Sequence, residues 1–549
     1  MRRIRKLRLR LVLAGTAGLA VVAFVAATSA SPPHEPDLSN VATANTKAAG
    51  YAPADKFSVE ITGQVVAQGA TLVENPTSLI STYGYENDVV SADDPTKPQM
   101  VPTAGVNDEA QKTEPDENTY LSFKHALHGA DPDYYYGKHF LYQGHEAAAA
   151  VDGVDQGYIT RINLDADAAH RVTLLATTDT SGAAIATIDG SVWDPWARKL
   201  IFTTENDEAP TYSATPDYPS TVTDVSGALG RGGYEGVSLD DEGNVMIVED
   251  IGGANKGSTR ARIPNSFLFR YVPDSPGDLD NGKLQVLQVL SNDADHHPIT
   301  QATQTPLHSP DQIALHVYGS SFQANWVTIH DTAVDGHDPF NANDLAKAND
   351  GTPFKRPENG RFRPSAGFRD FYFDETGDTN ATSPENENEG GWCSIWKLHQ
   401  SHAGASSARL SIFYRCDGTR AGFDNTAFLS DDLMTFVEDA GDTLHGQRNA
   451  LDSGWVFDVT QDYSDPDTQP VRWLAEGRDP SATIDAASGG FGKNDGDNEI
   501  TGTTVSDGDT SVHGLLGEKK PHLFQNDKWR FFYTEQHGDN RTYEVVTAP

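Results

Sequence analysis

The sequence predicts an all-β fold, and within that class a β-propeller with long inserted loops. Short runs rich in β-branched and aromatic residues recur from Phe57 onward. Among them are GYITRINL, KLIFTTE, NVMIVED, SFLFRYV, DFYFDE, LMTFVED, GWVFDV and WRFFYTE. Each is bounded by Gly, Asp, Asn or Pro, the usual punctuation of strands and turns. Few segments hold a 3.6-residue apolar period, which leaves sandwich, barrel and propeller to be separated. A repeated unit separates them. TTEND (203–207), VEDIGG (248–253), DETGD (374–378), VEDAGD (437–442) and YTEQHGD (533–539) all run from hydrophobic residues into a glutamate and then an acidic or glycine turn. Repetition at blade-scale intervals marks a propeller. The intervals are uneven, so insertions are required, and the Asp/Asn-rich stretch 331–360 reads as one.

The N-terminus comes before any of this. Residues 1–10 carry six basic residues, residues 11–27 are uncharged, and Thr28-Ser29-Ala30 closes the run with small side chains. That order describes an export signal over residues 1–30. Arg2-Arg3 is an arginine pair of the kind read by the folded-protein export route. The apolar run is near the lower limit for crossing a bilayer, so an uncleaved anchor is the alternative, and with it a membrane partner. The Pro/Ala/Asn-rich residues 31–56 read as a flexible linker. Residues 57–549 are then the propeller domain, and the expected location is extracellular or in the cell envelope.

The whole chain carries a formal charge of −38. Without the six basic residues of the signal, 35 Lys+Arg stand against 79 Asp+Glu, a net of −44. Such a surface repels nucleic acid and anionic membranes and attracts cations. Much of that charge serves solubility, so it names no function alone. The two cysteines, Cys393 and Cys416, lie in strand-like runs on either side of a Ser/Gly/Ala/His-rich turn. In an oxidising compartment they predict one disulfide across a hairpin. GGANKGST (252–259) has phosphate-loop glycines in the wrong order and reads as a mobile surface turn. Asp295-His296-His297 reads as an exposed loop.

The repeated acidic turns carry the chemistry. In a propeller the equivalent ends of inner strands converge on the central channel, so repeated carboxylates there form a ring suited to calcium or a harder multi-metal cluster. Carboxylates packed closely repel one another unless protonated or bound to cations. The candidates are Glu235 in GGYEGVSL, Glu358 in FKRPENG, Glu499 in DNEITG, His145-Glu146 in YQGHEA, and His537 in EQHGD. Arg356 stands beside Glu358, and an arginine fork matches phosphate oxygens. Cations with an arginine are the usual kit for phosphoryl transfer.

These segments resemble the PhoX class of extracellular alkaline phosphatases. GYEGVSLDDEGNVMIVED is similar to a family segment with a glutamate before a strand, and FKRPENG to its Arg-Pro-Glu motif. EITGTTVSDGD followed by EQHGDN resembles its E-V-T-G-P and Q-H-P-G ending. LYQGHE resembles its N-H-E segment, with Gly144 in place of the asparagine. The resemblance runs in the family's order from about Asn118 to the end. It implies six blades, calcium and iron in the channel, and hydrolysis of phosphate monoesters. By position, Glu235, Glu358 and Glu499 would be metal ligands, Arg356 would hold phosphate, and His145, Glu146 and His537 would line the site. The family's iron-binding cysteine sits in T-P-W-G-T-x-L-x-C-E-E. The matching SVWDPWARKLIFTTEN places Thr204 there, followed by Glu205 and Asn206. A hydroxyl is a poor donor to ferric iron and an acceptable one to calcium, so the resemblance carries over calcium more firmly than iron. The expected partner is a small phosphate ester, the expected state a monomer. A calcium-dependent propeller hydrolase of other chemistry, lactonase-like, and a non-catalytic calcium-binding propeller are the alternatives.

Overall fold

The computed structural model describes residues 37–48, 53–101, 105, 106, 109–151, 154–206, 208–379, 387–478, 499–525 and 528–549. Residues 1–30, expected from sequence to be an export signal, lie outside them. Among the described residues no helix is long and apolar enough to cross a membrane. The chain begins with β1 (Lys56–Phe57) and β2 (Ile61–Ala67). A first four-stranded sheet follows as β3 (Pro115–Ser122), β4 (His139–Val151), β5 (Val154–Asn163) and β6 (Val172–Ala176). The second is β7 (Ser191–Asp194), β8 (Lys199–Phe202), β9 (Tyr212–Ala214) and β10 (Val222–Asp224). The third is β11 (Tyr234–Leu239), β12 (Val245–Glu249), β13 (Leu268–Pro273) and β14 (Gly282–Val289). After β15 (Phe322–Asp331) comes the fourth: β16 (Gly360–Phe362), β17 (Asp370–Glu375), β18 (Ser394–Gln400) and β19 (Ser407–Arg415). The fifth is β20 (Phe423–Phe428), β21 (Leu433–Glu438), β22 (Ser453–Asp458) and β23 (Val471–Ala475). The last is β24 (Glu499–Ser506), β25 (Arg530–Gln536) and β26 (Arg541–Thr547).

These sheets are the six blades of a propeller. Their first strands touch in ring order, β3 to β7, β11, β16, β20, β24 and back to β3. β2 completes the sixth blade by pairing with β26, from Ile61 against Thr547 to Ala67 against Thr542, so the two ends of the chain close the ring. β1 adds an outer strand to the fifth blade through β23. β15 pairs with both β14 and β19 and joins the third and fourth blades into one nine-stranded sheet. All eight strand-like runs named from sequence lie in strands, those of β5, β8, β12, β13, β17, β21, β22 and β25. The 331–360 insertion contains two short helices, Thr332–Asp335 and Ala342–Ala348.

The apolar residues of each blade are split between its two faces, so there is no single core. Six buried clusters fill the six seams instead. Tyr142, Leu200 and Phe202 pack between blades one and two, Phe354, Phe373 and Trp396 between three and four, and Trp473, Phe531 and Tyr533 between five and six. Face-to-face packing of twisted sheets produces such layers.

Two expectations are corrected here. Part of the 31–56 stretch is docked rather than flexible. Asn45 donates its amide to the carbonyls of Ala54 and Glu476, Val41 N–H bonds the Arg472 carbonyl, and Leu38 packs against the blade five–six cluster. The 252–259 turn is at the surface, but its lysine is not. Lys256 is buried and its ammonium lies 2.7 Å from Glu389. The 295–297 loop is exposed, as expected.

Cys393 and Cys416 are bonded, with Cα atoms 5.0 Å apart, immediately outside the paired strands β18 and β19. The bond closes a loop of 23 residues in sequence. Replacing both cysteines with serine should lower unfolding stability by about 3 kcal/mol on loop-entropy grounds. Denaturant unfolding measures this, and a loss below about 1 kcal/mol would mean the loop is already ordered without the bond.

Candidate metal centre

Each blade brings one acidic residue to the start of its inner strand. They are Asp116 in β3, Asp189 just before β7, Glu235 in β11, Glu358 just before β16, Asp424 in β20 and Glu499 in β24. Because the inner strands form a closed ring, these six positions meet at one end of the channel. In three blades the pairing with the second strand slips by one residue at this acid, between Pro115 and Asn118, Tyr234 and Val237, and Phe423 and Thr426, while in the sixth blade the slip lies beyond Glu499, between Thr501 and Thr504. A bulge of this kind bends a strand and re-aims its side chains. Gly236 shows how tightly the bulge is packed, since a Cβ there would lie 2.6 Å from the Asn359 side chain.

The repeated acidic units occupy a second tier, and this corrects the expectation that they end inner strands. They end the second strands, β8, β12, β17, β21 and β25. In blades three to six their shared glutamate faces away from the channel, whereas in TTEND of blade two it is Thr204 that does so. Glu249 accepts from Phe267 N–H and the Asn343 amide, and Glu438 from Ala421 N–H and the Trp455 indole. The next residue along reaches the inner tier. Asp250 does so in blade three and Thr376 in blade four, whose hydroxyl donates to Glu358 at 2.5 Å. Gln536 does so in blade six, donating to Asp116 at 2.8 Å. Glu146 and Glu205 hold the same place in blades one and two.

The carboxylates form three linked triplets: Asp116, Glu146 and Asp189; Asp189, Glu205 and Glu235; Glu235, Asp250 and Glu358. Within each, the oxygens lie within 4.8 Å of one another, and Asp189 and Glu235 are shared between neighbours. Asp189 is buried and one of its oxygens has no hydrogen-bond partner. Burial first, and the neighbouring acids second, push Glu146, Asp189, Glu235 and Glu358 well above the carboxylate range. Asp424 and Glu499 are raised in the same way, with Asp116 and Asp439 the principal repelling charges. Glu205 sits at the mouth with a 37% exposed side chain, and is pushed up to about 8 by burial and by Asp250. The donor set is oxygen throughout. It fits hard divalent cations, and it lacks the thiolate that the resemblance assigns to iron.

Other expected residues divide. Arg356, in a left-handed conformation, grips Asp250 with Nε at 2.6–2.7 Å and with Nη2, and its Nη2 lies 3.6 Å from Glu358 and 3.8 Å from Glu205. Its Nη1 carries no hydrogen bond among the described residues. His537 donates or accepts at 2.6 Å with Glu499 and lies 3.5 Å from Glu114, outside the three triplets. His145 does not line the site. Its ring is stacked on Tyr158 in the blade one seam, bonds Thr160, and is pulled down to about 3 by burial. The Thr204 hydroxyl donates to the Pro210 carbonyl, so Glu205 is the member of that run that enters the cluster. Asn206 is exposed and caps its own turn by accepting from Glu208 N–H. Gly144 lies against Ile188, where a Cβ would stand 1.9 Å from a methyl carbon, so asparagine does not fit.

Sequence reasoning missed Asp116, Asp189, Asp250 and Asp424. A weak signal existed. In Asp189-Gly190, Glu235-Gly236, Glu358-Asn359 and Asp424-Asn425 the inner-strand acid is followed at once by a glycine or asparagine. Below the ring the channel is crossed by Arg361, which bonds Glu117 of blade one, the Asn359 side chain, and the carbonyls of Val237 and Gly360. Burial pulls its guanidinium down to about 10. Beyond this floor lies a cavity of about 130 Å³ lined by Trp193, Leu239, Phe362 and Trp529.

No family model and no curated protein matches the sequence. Among solved structures, Pseudomonas fluorescens PhoX in complex with vanadate, a transition state analogue, aligns over 93% of this chain and 98% of that one. The TM-score is 0.52 at 9% identity. The fold is PhoX-like. An auxiliary nutrient binding protein from Bacteroides thetaiotaomicron aligns over 82% of this chain and 76% of its own at TM-score 0.33 and 11% identity. A fungal alcohol oxidase in complex with copper aligns over 80% and 76% at TM-score 0.33 and 10% identity. These two likenesses are too distant to bear on the chemistry, and the PhoX likeness bears on the fold alone.

The raised carboxyls fix a sign for pH dependence. A carboxyl held above its unfolded value keeps its proton longer in the native state, so stability falls as pH rises from about 4 towards the folded value. Thermal unfolding of chelated protein should therefore show a falling Tm between about pH 5 and pH 8. Calcium should restore more stability at pH 8 than at pH 5. A chelated protein whose Tm is flat over that interval would mean that the cluster is not strained by its own charge.

Proposed function

We propose that the chain is an exported hydrolase of phosphate monoesters that works at the carboxylate cluster with calcium bound. The observation that carries this reading is the set of three linked, buried carboxylate triplets with Arg356 at their rim. Bound calcium would supply positive charge for phosphoryl oxygens and a Lewis acid for the attacking oxygen. Asp116, Glu146, Asp189, Glu205, Glu235, Asp250 and Glu358 would hold it. Asp250 fixes the plane of Arg356 by taking two of its nitrogens, which leaves Nη1 to donate to a phosphate oxygen. Such a donor matters most as charge builds on the transferred group. Thr376 and Gln536 orient Glu358 and Asp116. Thr204 leaves iron without a thiolate, so calcium is the proposed cofactor. Export by the N-terminal signal, a small phosphate ester as substrate and a monomeric state belong to the same proposal.

One observation favours a second reading. The Arg356 fork is occupied by Asp250, which suits a counter-charge as well as a substrate clamp. A calcium-dependent hydrolase of lactone-like esters would need the carboxylates and not the arginine.

Purified protein assayed on 4-nitrophenyl phosphate should release phosphate, lose activity on strong chelation and recover it with calcium alone. Arg356→Ala should lower kcat/KM by roughly 10²–10³-fold, the scale of losing one transition-state donor. Phosphate release unchanged in that variant would remove Arg356 from the chemistry. Lactone hydrolysis without phosphate release would install the second reading, and calcium binding with neither activity would leave a binding module.

A further inference from the structure

Three carboxyl groups from separate stretches of chain lie near one another at the seam between the fifth and sixth blades, with Glu499 of the ring also acting on one of them, Glu476. Asp55 precedes β1, Glu476 follows β23, and Glu535 lies in β25. Glu476 is fully buried, and among the described residues neither of its oxygens has a hydrogen-bond partner. Glu535 is also buried, with one oxygen bonded by the Tyr543 hydroxyl at 3.2 Å and the other unpartnered. Asp55 accepts from Gly477 N–H at 2.6 Å and faces Glu535. Arg541 acts on Asp55 and Glu535 and also pairs with Asp539 at 3.6 Å. Asp452, also near Glu476, is committed to Arg448 at 3.3 Å and His445 at 2.9 Å.

A buried carboxylate with two unpaired oxygens is not stable as a lone ion, so it holds a proton or a cation. Burial, followed by the charges of its acidic neighbours, pushes Glu476 and Glu535 well up. Three acids competing for one proton leave charge over whenever two ionise, and a divalent cation neutralises two at once. The donors are all oxygens, which suits calcium and not zinc or copper.

We propose that this seam is a second cation site, binding one calcium ion between Asp55, Glu476 and Glu535. The donor atoms are spread more widely than in the channel triplets, so binding draws three segments together. Those segments are the N-terminal stretch and the two blades between which it lies. The site is therefore a structural clamp on ring closure, and it stands whether or not the channel cluster hydrolyses phosphate esters.

The test counts calcium by equilibrium dialysis and follows Tm against calcium in three full-length proteins. They are the unaltered chain, Glu476→Gln, and the channel pair Glu235→Gln with Glu358→Gln. Glu476→Gln should bind one calcium fewer and lose the larger part of the calcium-dependent rise in Tm. The channel pair should lose calcium from the mouth yet keep that rise. The proposal is overturned if Glu476→Gln binds as many ions as the unaltered chain with the same Tm response. An unchanged calcium count with an altered pH dependence of Tm would assign the seam a shared proton and overturn it too. Should Glu476→Gln fail to fold, the channel pair still decides, because a complete loss of bound calcium and of the Tm rise in that protein excludes a seam ion.

Discussion

Closing six blades into a ring forces one position of every blade into the same small volume, and the rest of the site follows from that convergence. In this chain five blades place an acid at that position, and the sixth brings Glu499 to it from three residues before its own bulge. Like charges at a few ångströms cannot all remain ionised in a buried setting. The molecule answers with bulges that spread the carboxylates, with Arg356 at the rim, and with Arg361 beneath. One arginine above and one below do not neutralise a ring whose second tier adds Glu146, Glu205, Asp250 and Asp439. The remaining imbalance is what makes hard cations the natural occupants.

Packing and chemistry are kept on different parts of the blades. Large aromatic and aliphatic side chains occupy most of the seam volume, where packed sheet faces exclude water. The acids are confined to strand ends, where bulges release side chains from the alternation of the sheet. Asp116 shows the boundary. Its backbone belongs to β3, and its carboxyl receives Thr501 at 2.5 Å and Gln536 at 2.8 Å, both from the sixth blade. The seam that closes the ring is thus bound to the site by hydrogen bonds as well as by apolar contact.

Much of the fold was legible in the sequence because its signals are local. Strands announced themselves by composition, and the blade repeat by its recurring acidic turn. Blade number was not legible from the repeat alone, because β4 ends in a different unit and the fourth blade shares β15 with the third. The site was half legible. Glu205, Glu235, Glu358 and Glu146 meet as the sequence suggested, and Glu499 lies in the same ring. The second-tier error has a single cause, which is parity. In a strand successive side chains face opposite ways, so the conspicuous glutamates of VED and TEQ turn towards the seams and their unremarkable successors turn inward. His145 and Thr204 occupy the glutamate's parity, which is why the one stacks on Tyr158 and the other bonds Pro210. Register at a strand end depends on bulges that only the neighbouring strand reveals.

The pairing of β2 with β26 sets an order of events for a growing chain. Residues 61–67 emerge from the ribosome long before their partner at 541–547. Until then the sixth blade has no outer strand, and two strand edges stay open to other chains. A protein carried unfolded across a membrane meets this interval on the far side, among calcium ions and without cytoplasmic chaperones. One carried folded meets it at home, before departure. The late closure of the ring gives folding before any passage across a membrane a physical advantage.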